Sequence, residues 1–121
     1  MNPRWWDESK DAGKFSAAKV FNTTLGFGGD GQGSNNCVVN GPYANMTVNI
    51  GAGFQTNPRC VNRKITDVLS TGCSAAQVAT AISGANYSAA WLAIYMGPHL
   101  YGHMGLSMMV HLFQFKANGV Y

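Results

Sequence analysis

The chain has 121 residues, 46% of them hydrophobic and only 11% charged, which is enough apolar mass for one domain and too much for a disordered tail. Its 8 basic and 5 acidic residues give a net charge of +3, scattered without a basic stripe interleaved with aromatics, so a nucleic-acid interface is excluded. No apolar run is long enough to span a bilayer.

Residues 1–19 are polar with two tryptophans, Trp5 and Trp6, and show no firm period. Residues 20–63 read as loops with short extended pieces, Val38-Val39 and Met46-Thr47-Val48-Asn49-Ile50, the latter alternating apolar and polar. Gly41-Pro42 and Asn57-Pro58 mark turns. The run Gly26-Phe27-Gly28-Gly29-Asp30-Gly31-Gln32-Gly33 lacks the Gly-Lys-Ser/Thr ending of a phosphate loop and is read as a flexible turn. The densest basic cluster, Arg59-Cys60-Val61-Asn62-Arg63-Lys64, is read as a solvated loop.

The second half reads as helical. Ser74-Ala75-Ala76-Gln77 has the form of a capping box, in which the serine hydroxyl and glutamine amide satisfy the first free N–H groups. Val78, Ala81, Ile82 and Ala85 then make a narrow apolar stripe, and Gly84 supplies a stop. Ser88 opens a second helix running to Met96, with Leu92, Tyr95 and Met96 expected in the core. Gly97-Pro98 breaks it, and Pro98 suits the first turn of a third helix.

Cys37, Cys60 and Cys73 allow one internal disulfide and one orphan; the arithmetic leaves the pairing open, and Cys37 with Cys60 is the candidate pair. Nothing marks an activated cysteine or a base-orienting acid, so a Cys–His hydrolase is a poor reading. Sequons at Asn22, Asn45 and Asn86 are glycosylation candidates and suit a secreted protein. The first residues lack the apolar core of a secretory leader, so the expectation is an extracellular parent protein whose front is missing here.

The third helix carries His99 and His103. Four residues apart, the two side chains share one helix face, and neutral imidazole suits Zn, Cu, Fe and Ni. They are the candidate metal ligands, and no catalytic residue is assigned. The third histidine, His111, sits in Val110-His111-Leu112-Phe113-Gln114-Phe115.

Residues 3–109 resemble the central copper-binding domain of fungal tyrosinases, the polyphenol oxidases. The likeness rests on the order of Trp5-Trp6-Asp7, Asp11-Ala12-Gly13, Gly26-Phe27-Gly28-Gly29 and the segment from Asn36-Cys37 through Gly41-Pro42-Tyr43. It continues through Asn57-Pro58-Arg59-Cys60-Val61-Asn62-Arg63 to His99, His103, Gly105 and Met108-Met109. The resemblance implies an oxidoreductase with a type 3 site, two coppers each held by three histidines, that hydroxylates monophenols and oxidises catechols with dioxygen. It makes His99 and His103 the first two ligands of the second copper. The other four ligands have no counterpart in this sequence, so at most one weak copper site and no catalysis are expected of the chain alone.

The implied fold is mainly α. A partial tyrosinase-type bundle of second-copper helices follows a long irregular segment with short strands. Residues 1–109 form the partial copper-binding domain. Residues 110–121 are a tail outside the family pattern, the form that read-through of an unspliced intron would take. Phenols and dioxygen are the implied partners, with no nucleic acid and no membrane. Helix faces left without their partners are expected to self-associate. The competing reading, from a different class, is a metal-free secreted glycoprotein or interaction domain in which His99 and His103 only pack or face water.

Overall fold

Asp7 starts the first helix: its carboxylate accepts the backbone N–H of Ser9 at 3.2 Å and the Ser9 hydroxyl at 2.6 Å, capping α1 (Glu8–Asp11). The computed structural model that shows this describes residues 5–50 and 55–106, and within them two compact units. One comprises the described parts of Met1–Ala17 and Ile65–Tyr121, and the other is Ala18–Lys64.

In the first unit the N-terminal segment, without period in the sequence, packs onto helices far along the chain. Phe15, in a 3-10 turn (Phe15–Ala17), has no exposed surface. The Trp6 ring lies 4.7 Å from it, and the Trp6 indole N–H donates to Asp11 at 2.8 Å. Ser70 at the end of α2 (Asp67–Ser70) is equally buried, and its hydroxyl is fully used. It accepts the Gly13 N–H at 2.8 Å and donates to the Asp67 carbonyl at 2.7 Å. Asp67 in turn accepts the Ser16 N–H at 2.8 Å and the Ser16 hydroxyl at 2.6 Å. These bonds hold its carboxyl below the usual range, the Ser16 hydroxyl contributing most.

A 3-10 turn (Thr71–Cys73) leads into α3 (Ala75–Ile82). Ser74 occupies the N-cap, but its side chain makes no capping bond. In a capping box the glutamine reaches back to the cap residue's N–H. Here that N–H is already bonded to the Thr71 carbonyl at 3.1 Å, closing the preceding turn. α4 (Tyr87–Ile94) begins one residue before the expected Ser88, because Asn86 caps it by accepting the Ala89 N–H at 3.0 Å. Of the stripe on α3, Ala81 is buried while Ile82 is 66% exposed. Leu92, Tyr95 and Met96, expected in the core, are 55%, 48% and 53% exposed, so α4 presents an apolar face that nothing among the described residues covers.

A wide helical segment (Tyr95–His99) joins α4 to α5 (Leu100–Gly105), with Gly97 outside helical geometry at φ −100° and ψ −113°. Pro98 follows it, and a ring with no N–H cannot continue the preceding ladder, so the chain bends as its sequence requires. α5 packs on α2 through its small residues. Gly105 lies against Phe15 and Ser70, where a Cβ would sit 2.9 Å from the Phe15 ring. Gly72 likewise receives the Tyr101 ring with no room for a side chain.

The second unit is loop-rich. β1 (Thr47–Ile50) pairs antiparallel with β2 (Thr56–Cys60), matching Thr47 to Cys60, Val48 to Arg59 and Ile50 to Thr56. Asn57-Pro58, expected as a turn, lies inside β2. The register is irregular between Val48 and Ile50, so Asn57 and Pro58 together oppose Asn49, and this bulge tolerates a residue without an N–H. Val38-Val39 is not a strand: Cys37 makes single bridges to Gln32 and Asn62, and Val38 is buried beside them while Val39 is exposed. Cys37 and Cys60 form a disulfide closing a separation of 23 residues, a constraint worth about 3 kcal/mol in chain-entropy terms.

The glycine-rich run is not a flexible turn but a clamped loop. The Arg63 guanidinium donates to the carbonyls of Gly28 and, at 2.9 Å, Gly29, and it lies 4.8 Å over the Phe21 ring. Asn40 accepts the Gly29 N–H at 2.7 Å. Gly28 adopts φ +84° with Asn40 backbone where a Cβ would point, so only glycine fits. Arg63 is therefore half-buried and structural, not part of a solvated cluster. Burial lowers its pKa from the ordinary guanidinium value, and the charge of Asp30 acts the other way.

Among the described residues no helix is long and apolar enough to cross a membrane. Residues 107–121, with His111 and the proposed tail, lie outside them.

Phe15→Ala removes the ring on which Trp6 and Gly105 pack and is expected to cost the first unit about 3–5 kcal/mol. Chemical denaturation followed by helical circular dichroism checks this, and a loss under 1 kcal/mol would place the core elsewhere.

Candidate metal centre

The kink at Gly97-Pro98 and the glycine face of α5 together decide where the histidines point. Gly102 and Gly105 are buried, Gly102 against the Glu8 carboxylate and Gly105 against Phe15. His99 and His103 occupy a different side of the same helical turn and are exposed. Their rings lie 4.6 Å apart between centroids and cross at 81°. A metal–imidazole bond is about 2 Å long, so rings this close can share one ion.

The pair ends a longer row. Tyr95 stacks on His99 at 5.5 Å and 20°, and Trp91 stacks on Tyr95 at 5.3 Å and 4°. Trp91, Tyr95, His99 and His103 thus continue one i, i+4 ladder across the kink. The spacing was legible in the sequence, although Tyr95 reads there as a core residue. Beside the ladder lies an open cleft of about 300 Å³, lined by Tyr87, Ala90, Trp91, Ile94, Tyr95 and His99.

The ligand set is incomplete. Among the described residues no group of three or more His, Cys, Asp and Glu side chains converges to hold an ion. The two imidazoles are exposed and could contribute two donors to an ion.

Cys73 is the free thiol, 1% exposed, with its sulfur 3.4 Å from the Pro98 carbonyl that it faces as donor. Burial pushes its pKa up to about 12, helped by the negative charge of Glu8 and a hydrogen bond with it. A thiol held protonated in this way is neither a nucleophile nor a metal ligand near neutrality. Sequence reading found neither Glu8 nor the Cys73–Pro98 contact, because both depend on the packing of the N-terminal segment.

The three sequon asparagines, Asn22, Asn45 and Asn86, are all exposed. Asn22 accepts the N–H groups of Thr24 and Leu25 at 2.8 and 2.9 Å, and Asn86 caps α4. Both use Oδ1, so these bonds leave out Nδ2, the atom a glycan would occupy. Asn45 sits in the left-handed region at φ 61°, which asparagine tolerates.

Comparison with protein-family models, with curated proteins and with solved structures returned no match.

The raised Cys73 pKa has a definite sign. The fold is favoured while the thiol is protonated, and that contribution is lost as pH climbs from the ordinary 9.0 towards about 12. Ellman's reagent at pH 8 is accordingly expected to leave Cys73 unmodified in the native protein and to react once denaturant is added; rapid native labelling would contradict the burial.

Proposed function

We propose that His99 and His103 bind copper as two of the three ligands of the second copper of a type 3 site of the tyrosinase kind, whose complete form oxidises phenols and catechols with dioxygen. The observation that carries the reading is the pair of imidazoles 4.6 Å apart on an exposed helical turn, in a chain whose short motifs follow the order of that family. Imidazole is a donor suited to copper, so the residues present fit the ion as two of its ligands.

The chain's own contribution is positional. Pro98 and Gly97 set the start of the ligand-bearing turn, and the glycine face of α5 fixes its rotation. Tyr95 packs flat on His99 and limits how that ring can swing, a support that ligand imidazoles need to bind tightly. The neighbouring cleft, apolar and aromatic along Tyr87, Trp91 and Tyr95, suits a flat phenolic ring next to His99. When bound, the copper pair supplies the dioxygen chemistry, and the protein supplies binding and orientation.

A second reading has its own observation. The exposed apolar residues of α4 suit an interaction module of a secreted glycoprotein, with the histidines as bystanders. Isothermal titration with Cu(II) separates the two. Wild type is expected to bind, with His99→Ala and His103→Ala each weakened at least about tenfold, the lower bound seen even for outer-sphere losses. Equal uptake by all three proteins favours the metal-free module. Catechol turnover by the 121-residue chain with copper is expected to be absent, since the described residues offer two of six ligands; turnover at the rate of an ordinary enzyme would overturn the half-site.

A further inference from the structure

We propose that a second copy of this chain completes the imidazole pair: one divalent ion, held by His99 and His103 from each of two chains, joins their α4–α5 faces into a two-fold dimer. The inference rests on the reading that these histidines bind metal, and it names a partner that supplies two further donors to one ion.

Three observations lead to it. The first is the donor count. Two exposed imidazoles share one turn, and no third donor converges on them among the described residues. Zinc, an ion that takes imidazole ligands, is four-coordinate in closed sites. A two-fold axis through the ion doubles two donors to four, and a self-complementary patch is what that symmetry requires.

The second is the surface around the pair. Trp91, Leu92, Tyr95 and Met96 are between 48% and 55% exposed, and Tyr95 stacks directly on His99, so the apolar face runs up to the ligands without a break. Nothing among the described residues covers that face; a pair would bury both faces as its ligands meet.

The third is charge. From residue 68 to residue 115 the sequence contains no Asp, Glu, Lys or Arg. Two copies can therefore approach through this region without like-charge repulsion and without burying an unpaired charge, the two penalties that ordinarily keep identical faces apart. Within that stretch a partner of opposite charge finds no charged side chain to pair with. A second neutral, aromatic face needs none.

The test uses the 121-residue chain and Zn(II), which binds imidazole and has no redox chemistry. Sedimentation velocity is run at zero, one-half and one equivalent of Zn(II) per chain. The expected result is at most weak association without metal, a maximal dimer at one-half equivalent, and a partial loss of the dimer as excess ion gives each chain its own. His103→Ala and His99→Ala, both at exposed positions, are expected to keep their helical circular dichroism and lose zinc-dependent dimerisation. Trp91→Ser is expected to keep zinc binding and weaken the dimer at least tenfold. Zinc binding to a chain that stays monomeric at every ratio overturns the dimer and leaves the half-site standing. No zinc or copper binding overturns both. A dimer that forms without metal and survives His103→Ala overturns the role of the ion.

Discussion

The ligand-bearing helix is held by a contact made possible by what it lacks. Gly105 brings the backbone of α5 against the Phe15 ring and the Ser70 side chain, and Gly102 brings it against Glu8. A side chain at Gly105 would meet Phe15 at 2.9 Å and Ser70 at 3.0 Å, forcing the helix off the N-terminal segment. Phe15 is wholly buried, so the segment cannot readily give way. The rotation of α5 about its own axis is therefore set by its inner face, and the direction of His99 and His103 follows from it.

The same packing accounts for the polar groups inside the first unit. Ser70 is buried, but each of its hydroxyl's two roles is taken by a backbone group, one from Gly13 and one from Asp67. Asp67 holds Ser16 from the far side of the sequence. Cys73 is kept neutral beside Glu8 and faces the carbonyl of Pro98, where the helix bends. The reactive-looking sulfur thus serves as a filler at the kink, while the imidazoles of His99 and His103 stay exposed.

How much of this was readable depends on whether the deciding interaction was local. The bend at Gly97-Pro98, the helix starting at Ala75 and the shared face of His99 and His103 come from neighbours in sequence, and periodicity finds them. The N-terminal segment was opaque because Gly13, Phe15 and Ser16 acquire their meaning from Ser70, Asp67 and Gly105, more than fifty positions away. Pro58 was misread because a bulge, invisible in one strand alone, removes the need for its N–H. Arg63 was misread for the opposite reason to Leu92. A charge taken for solvent-facing is consumed by carbonyls, and an aliphatic taken for interior lies in the open.

The cross-link between Cys37 and Cys60 draws a line between the two units. Its contribution of about 3 kcal/mol is a sizeable share of the 5–15 kcal/mol that holds a typical domain together. A glutathione-rich compartment would withdraw that support from Ala18–Lys64 alone, since the one cysteine of the other unit, Cys73, is a buried free thiol with no disulfide to lose. The redox-sensitive cross-link of this polypeptide is thereby confined to its loop-rich unit.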